Sequence, residues 1–315
     1  AFKAANQKKL AELVGLVELG DGSLVYRDSG GNLGRCDFAT GEKLESMAFP
    51  ESSGGRFFFA FGQELMSLAS DGKSFQKMTI DDGWSLVMTL GDINDPAVFV
   101  DRVTALDISA DGTMLATGSG EPSRSGEIKI WSLADGKLVR EIKDAHSDTI
   151  LDIRFSPDGK RLASGSSDRF MKTFDLESGK LIRVFEGHTH HVMSIDWNSI
   201  GRELSSAGAD KVVKVWDAET GTQKRTISGY GKEVTSLSFV ELSNNIITTS
   251  GDKTVRLKRT DNGGEVRQFA GNSDFVYAVA TTADGKKFAA GGEDSTVRIW
   301  TDSGQVFVEF PPPKE

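Results

Sequence analysis

LADGKLVREI (133–142), LESGKLIRVF (176–185), AETGTQKRTI (218–227) and TDNGGEVRQF (260–269) are one phrase written four times. Its glycines are Gly136, Gly179, Gly221 and Gly263. The phrase extends backwards as FATGEKLESM at Gly41 and IDDGWSLVMT at Gly83, and forwards as TDSGQVFVEF at Gly304. Successive spacings are 42, 53, 43, 42, 42 and 41 residues. A period in the low forties is the signature of stacked or radial repeats, and it has to be settled before any single residue is given a role.

Within a period the pattern is all β. Residues 192–229 read as strand VMSIDW, turn NSIG, strand RELSSAG, turn ADK, strand VVKVWD, turn AETG and strand TQKRTI. Asp, Asn and Gly stand where hairpins need them, and Gly221 can take positive φ without a steric penalty. Alternation puts Val213 and Val215 on one face of their strand and Lys214 on the other. Four strands per period and seven periods predict an all-β, seven-bladed β-propeller of four-stranded antiparallel blades. Stacking around a ring buries faces that each blade alone would expose. The expected organisation is an extension or linker at 1–11 and a single propeller over 12–310, with a Pro-rich tail at 311–315. The blades fall at about 12–49, 54–90, 103–142, 150–185, 192–228, 234–269 and 276–310. Blades 3 to 7 are explicit. Blades 1 and 2 rest on glycine spacing.

The bulk numbers set bounds. The chain has 315 residues, 37 Lys plus Arg against 46 Asp plus Glu, and a net charge of -9. That balance disfavours non-specific binding to nucleic acid or to an acidic membrane surface. Cys36 is the one cysteine, so there is no intrachain disulfide, thiolate zinc cluster or Cys-x-x-Cys-His haem signal. No apolar run approaches the ~20 residues of a membrane helix. The chain begins with Ala, which is expected of a processed or excised piece of a larger multidomain chain.

Three of the four histidines lie in EGHTHHVMSIDW (186–197). A His before the blade, a Ser in its second strand, an Asp in the next turn and Trp-Asp closing the third strand resemble the WD-repeat. Blade 5 has the whole set in His188, Ser206, Asp210, Trp216 and Asp217. The resemblance implies a buried, hydrogen-bonded tetrad of His188, Ser206, Asp210 and Trp216. Other blades depart from it. Blade 4 has His146, Ser164 and Asp168 with Phe174 for Trp. Blade 3 has Thr117 and Trp131 with Phe99 at the His position. Blade 6 has Thr248 and Asp252 with Tyr230 for His and Lys258 for Trp. Blade 7 has Asp294 and Trp300 with Asn272 for His and Ala290 for Ser, and blade 1 puts Cys36 at the Trp position. SGEPSRSGEIKIW (119–131) and FEGHTHHV (185–192) carry a finer resemblance, to the WD-repeat portion of planctomycete and verrucomicrobial proteins with a cytochrome c-like domain. It implies a bacterial, periplasmic setting; the alternative is cytoplasmic.

The 53-residue spacing is the informative irregularity. Seven of its extra residues fall in GDINDPAVFVD (91–101) and four in GSGEPSRSG (118–126). The loop leading into strand one and the loop between strands two and three share a face, here called the top, so both insertions are expected on it. Insertions gathered on one face of a repeat protein often mark where it binds. The candidate contacts are Asp92, Asn94, Asp95, Phe99, Glu121, Arg124, His190, His191, Tyr230, Lys232 and Phe275. Exposed aromatics would be anchors and Arg124 a bidentate donor.

Chemistry is sought and not found. There is no Gly-x-Ser-x-Gly elbow, no phosphate-cradling loop and no His-Glu-x-x-His. DIND (92–95) lacks the spaced ligands and terminal Glu of a calcium loop. No catalytic residue, metal site or cofactor is assigned. The expected function is a non-catalytic WD-repeat scaffold that binds a protein or peptide through its top-face loops. The alternative is a metal or small-molecule site at the central funnel or at His190 and His191, with His146 as a third ligand, in an accessory domain of a redox protein.

Overall fold

Short alternating runs become strands, and the Asp–Gly turns between them become hairpins. In the computed structural model the described residues are the strands within 13–90 with positions 40 and 42, then 98–310 apart from 100, 241, 242 and 283. Residues 1–12, 91–97 and 311–315 lie outside them, as does the side chain of Cys36. Asp92, Asn94 and Asp95 therefore fall outside the described residues.

Among the described residues there is no helix, and every sheet is a four-stranded antiparallel meander in chain order. Sheet 1 comprises Leu13–Glu18, Ser23–Asp28, Leu33–Asp37 and Lys43–Met47. Sheet 2 comprises Phe58–Phe61, Glu64–Leu68, Phe75–Asp81 and Gly83–Leu90. Sheet 3 comprises Val103–Ile108, Met114–Ser119, Gly126–Ser132 and Leu138–His146. Sheet 4 comprises Ile150–Phe155, Arg161–Ser166, Met171–Asp175 and Leu181–Phe185. Sheet 5 comprises Val192–Trp197, Glu203–Gly208, Val213–Asp217 and Gln223–Ile227. Sheet 6 comprises Val234–Val240, Asn245–Ser250, Val255–Arg259 and Glu265–Phe269. Sheet 7 comprises Val276–Thr281, Lys287–Gly292, Val297–Thr301 and Val306–Phe310. This is the propeller-like architecture of stacked sheets.

The core lies between sheets. Met171, Ala163 and Phe185 of sheet 4 pack with Leu204, Ile195 and Trp216 of sheet 5. Val213 and Ala207 of sheet 5 pack with Val234, Leu237 and Phe239 of sheet 6. The first strands are neighbours in turn, sheet 3 to sheet 4 and onward to sheet 7, then sheet 7 to sheet 1, sheet 1 to sheet 2 and sheet 2 to sheet 3.

The repeated glycine has two uses. Gly179, Gly221, Gly263 and Gly304 all adopt positive φ, between +71° and +85°, as the turn after the third strand requires. Each also receives an arginine from the sheet before. A β-carbon on Gly179 would lie 2.8 Å from Arg140 Cδ, and one on Gly304 would lie 2.7 Å from Arg267 Cδ. Arg183 and Arg225 lie in the same way against Gly221 and Gly263. Arg140 also donates from Nη1 to the Ser178 carbonyl at 3.2 Å. At Gly136 the visitors are Met88 and Leu90 of sheet 2, so the arginine clasp joins sheets 3 through 7.

Candidate interaction face

The polar groups of the third strand's flank are held from loop to loop. In sheet 5, Trp216 Nε1 donates to Ser206 Oγ at 2.9 Å. His188 Nε2 lies 2.7 Å from the same hydroxyl, and His188 Nδ1 lies 2.9 Å from Asp210. An indole N–H only donates, and a carboxylate only accepts. The relay therefore runs from the indole to the hydroxyl, from the hydroxyl to Nε2, and from Nδ1–H to the carboxylate. Sheet 4 repeats the relay without the indole, with His146 2.7 Å from Ser164 Oγ and 2.8 Å from Asp168. Burial pushes the His146 pKa down and keeps the ring neutral. Burial opposes the charge on Asp168, but the bond from His146 holds its pKa below the usual range.

The other sheets substitute by shape. In sheet 6, Tyr230 takes the His position and its hydroxyl bonds Thr248 Oγ1 at 2.9 Å. In sheet 3, Phe99 takes it and packs on Trp131 at 5.5 Å between ring centroids. In sheet 7, Arg298 Nη1 pairs with Asp294 at 2.7 Å, and Trp300 Nε1 donates to the Ala270 carbonyl at 3.0 Å.

These placements correct two expected contacts. Phe99 is 1% exposed and Tyr230 is 7% exposed, so neither is an anchor on the rim. Both stand where the His side chain points inward at the second strand, and an aromatic ring there fills the same slot. His146 is likewise spent as a third ligand for His190 and His191, since both its ring nitrogens are engaged. Among the described residues no three His, Cys, Asp or Glu groups gather to hold a metal ion.

The remaining candidates lie on the loops. Arg124 is exposed and pairs with Glu121 at 2.7 Å. Their loop is tied to the next sheet, because Ser123 N–H donates to Asp148 Oδ1 at 2.8 Å. His190 is exposed and His191 half-buried, with ring centroids 4.3 Å apart. Burial and the neighbouring His190 push the His191 pKa down. Lys232 is exposed and its ammonium stands 5.8 Å over the Phe275 ring. Phe275 in turn packs on Tyr277 at 4.9 Å, and Tyr277 donates to Glu293. Glu121, Arg124, His190, His191, Lys232 and Phe275 thus all belong to loops around the start of the first strands or between second and third strands.

The first strands hold a set that the sequence reading passes over. Asp107 accepts from Phe155 N–H at 2.6 Å, Asp152 from Ile195 N–H at 2.9 Å, and Asp196 from Phe239 N–H at 2.8 Å. Each carboxylate reaches from one sheet to the backbone of the next, from sheet 3 through sheet 6. Arg154 lies among them, 3.4 Å from Asp107 and 3.6 Å from Asp152. Burial pushes the Asp107 carboxyl up to about 7, against the pull of Arg154. Burial raises Asp196 as well. Burial opposes the Arg154 charge, but Asp152 and Asp107 hold its pKa above the ordinary value.

The WD domain, G-beta repeat, matches at residues 97–132, 136–175, 179–217, 221–257 and 263–301, which together make up more than half of the chain. The chain belongs to the WD-repeat family. Protein HIRA of Dictyostelium discoideum is 35% identical over 88 residues, covering 24% of this chain and 8% of that protein. WD repeat-containing protein VIP3 of Arabidopsis thaliana is 30% identical over 98 residues, covering 27% and 30%. U3 small nucleolar RNA-associated protein 12 of Saccharomyces cerevisiae is 38% identical over 55 residues, covering 18% and 6%. The chain thus spans less than a third of the length of each of these relatives. The computationally designed Ika8 protein superposes with a TM-score of 0.70 over 96% of this chain and 87% of its own, at 22% identity, a likeness of fold alone.

These relatives overturn the expected periplasmic setting. They come from a slime mould, a plant and a yeast, and one is named for a nucleolar RNA. The similarity they share with this chain is that of the WD repeats and not of a bacterial cytochrome-linked protein.

Proposed function

We propose that the chain is a closed, seven-bladed propeller that acts as a non-catalytic scaffold, holding a protein or peptide partner against the loops of its top face. The blade count rests on sheets 1 and 2 completing the ring between sheets 7 and 3, which the order of neighbouring first strands supports. The role of the tetrad is rigidity. Each bond is worth about 0.5–1.5 kcal/mol net, and its loss strands a buried polar group. The observation that carries the binding reading is a contrast within one face. Its buried acids and histidines are consumed by structure, while Arg124, His190, Lys232, Phe275 and Tyr277 remain at or near the surface. Rigid display of a few aromatic and cationic groups is how such interfaces gain affinity.

The test is affinity capture by the full chain from a cell extract, with each recovered protein identified and then retested as a purified partner. Tyr277→Ala and a variant with residues 121–124 replaced by two glycines are the comparisons. Partner affinity falling about tenfold or more in either variant supports the top face. Unchanged affinity in both removes it.

A further inference from the structure

We propose that the ring carries a built-in opening: the joint between sheets 7 and 1 parts reversibly while sheets 3 to 7 stay together as one cooperative unit. The inference rests on the closed seven-sheet ring proposed above and not on the partner held by its top face.

The joints from sheet 3 to sheet 7 are tied in three ways. The chain itself crosses each one, through the linkers that end at Ile150, Val192, Val234 and Val276. Polar side chains of the first strands cross as well. Asp107, Asp152 and Asp196 take backbone N–H groups of the next sheet, and Thr235 donates to the Val276 carbonyl at 2.6 Å. Thr104 likewise donates to the Ile150 carbonyl, and Ser194 both donates to Asp152 and accepts from Leu237 N–H. At the rim the arginine clasp closes the same joints. Parting any of them would strand a buried carboxylate or carbonyl, the costly way to lose a hydrogen bond.

The residues that make these ties are replaced where sheet 7 meets sheet 1. Each of the two sheets is built from its own four consecutive strands, so no linker joins one to the other. Sheet 7 has Ala278 where Asp152 and Ser194 stand, and Ala280 where Asp107 and Asp196 stand. The first strand of sheet 1, LVGLVE, has Gly15 and Val17 at the same two places. Val308 stands four residues after Gly304, where sheets 3 to 6 have an arginine. No side chain at those positions can donate or accept a hydrogen bond.

The side of sheet 7 that faces this joint is apolar. The first strand of sheet 1 neighbours the first and second strands of sheet 7. Phe288, Ala290 and Trp300 pack towards sheet 6, so strand alternation turns Ala289 and Ile299 towards sheet 1. Both are 0% exposed, so the joint is shut in this structure. Hydrophobic contact is non-directional, and parting it strands no polar group. Local openings are drawn from the least-tied part of a fold. Parting here opens the channel to one side and leaves every sheet with its own ladder.

The experiment places thiols at matched positions of two joints in the full chain. Ala289→Cys probes sheet 7 against sheet 1, and Ala163→Cys probes sheet 4 against sheet 5, where Ala163 is equally buried. Ala290→Cys reports the opposite face of the Ala289 strand, and Ser199→Cys, on an exposed turn, sets the rate of an open thiol. Each variant is labelled with a small maleimide under native conditions, and peptide mass spectrometry separates the label from that on Cys36. Far-UV circular dichroism and thermal melts establish that each variant is folded, and Ile299→Cys with Thr173→Cys is the second matched pair. The expected result is an Ala289→Cys thiol that reacts about tenfold or more faster than those of Ala163→Cys and Ala290→Cys, and well below the Ser199→Cys rate. Equal rates for Ala289→Cys and Ala163→Cys overturn the opening and leave the closed ring standing. Equal rates for Ala289→Cys and Ala290→Cys mean that sheet 7 unfolds as a whole, and also overturn it. An Ala289→Cys thiol as fast as Ser199→Cys removes the closed ring itself, and the opening with it.

Discussion

Sheets 5 and 7 face the same problem with different side chains. Both bury a tryptophan, at 1% exposure for Trp216 and 0% for Trp300, and both bury an acid in the turn beside it. Sheet 5 joins them through Ser206 and His188. Sheet 7 has Ala290 and Asn272 at those places, so the chain of bonds is cut in two. Trp300 turns to a backbone carbonyl, and Asp294 is held by Arg298. The cut leaves a mark, since Asn272 Nδ2 is buried with no acceptor among the described residues. The difference teaches that the tetrad is one solution to a general need. What these two blades require is a donor for the buried acid and an acceptor for the buried indole.

The comparison can be broken in graded steps by chemical denaturation of the full chain. Trp216→Ala is expected to cost about 3–5 kcal/mol, because it opens a cavity between sheets 4 and 5 and removes a donor. Trp300→Ala should cost a similar amount, and a much smaller loss would mean that sheet 7 is less tightly packed than its burial suggests. Arg298→Met is expected to cost about 2–3 kcal/mol, since Asp294 keeps only Ser273 and Thr296 as donors. Lys214→Met should cost less than about 1 kcal/mol, because Asp210 keeps His188 and Thr189. Equal costs would show that the acid in sheet 5 leans on its lysine after all. His188→Ala is expected to cost about 1–3 kcal/mol, while Asn272→Ala should be near neutral because it also removes an unsatisfied donor.

The smallest effect is one of pH. Asp107 in the folded chain titrates at about 7, against an ordinary 3.8. Between those values the folded chain keeps a proton that the unfolded chain has lost, so this group's contribution to stability declines as pH rises from about 4 to about 7. Asp107→Asn removes that decline. The variant should therefore gain on wild type across that window and hold a constant difference above it. A difference that shrinks with rising pH would contradict the burial of this carboxyl.

The blade period, the hairpin turns and the tetrad of sheet 5 were legible because each repeats at or near 42 residues or fits a known set whole. The inner acids were not, for a physical reason. Asp107 and Arg154 occupy matching places in their strands, and Asp152 matches Ser194, so the cluster is built from different rows of successive strands and has no period. Phe99 and Tyr230 were misplaced because aromatic character was read as display, when the slot they occupy points inward. The arginine clasp was written in the opening phrases, four residues after each glycine, but alternation alone does not tell which neighbour a side chain touches. The basic residue two places before the tryptophan position of the third strand is a similar case. Lys129, Lys172, Arg256 and Arg298 all reach back towards the linker before their blade.

That clasp has a bearing on how such a chain can change length. The copies at Gly179, Gly221 and Gly263 each carry one landing pad that receives an arginine and one reaching guanidinium, and the two serve different joints. Removing or duplicating a whole period therefore leaves each surviving joint with both its halves, while a break inside the period orphans one. Natural and engineered variants in ring size should accordingly differ by intact phrases, cut between one glycine and the next.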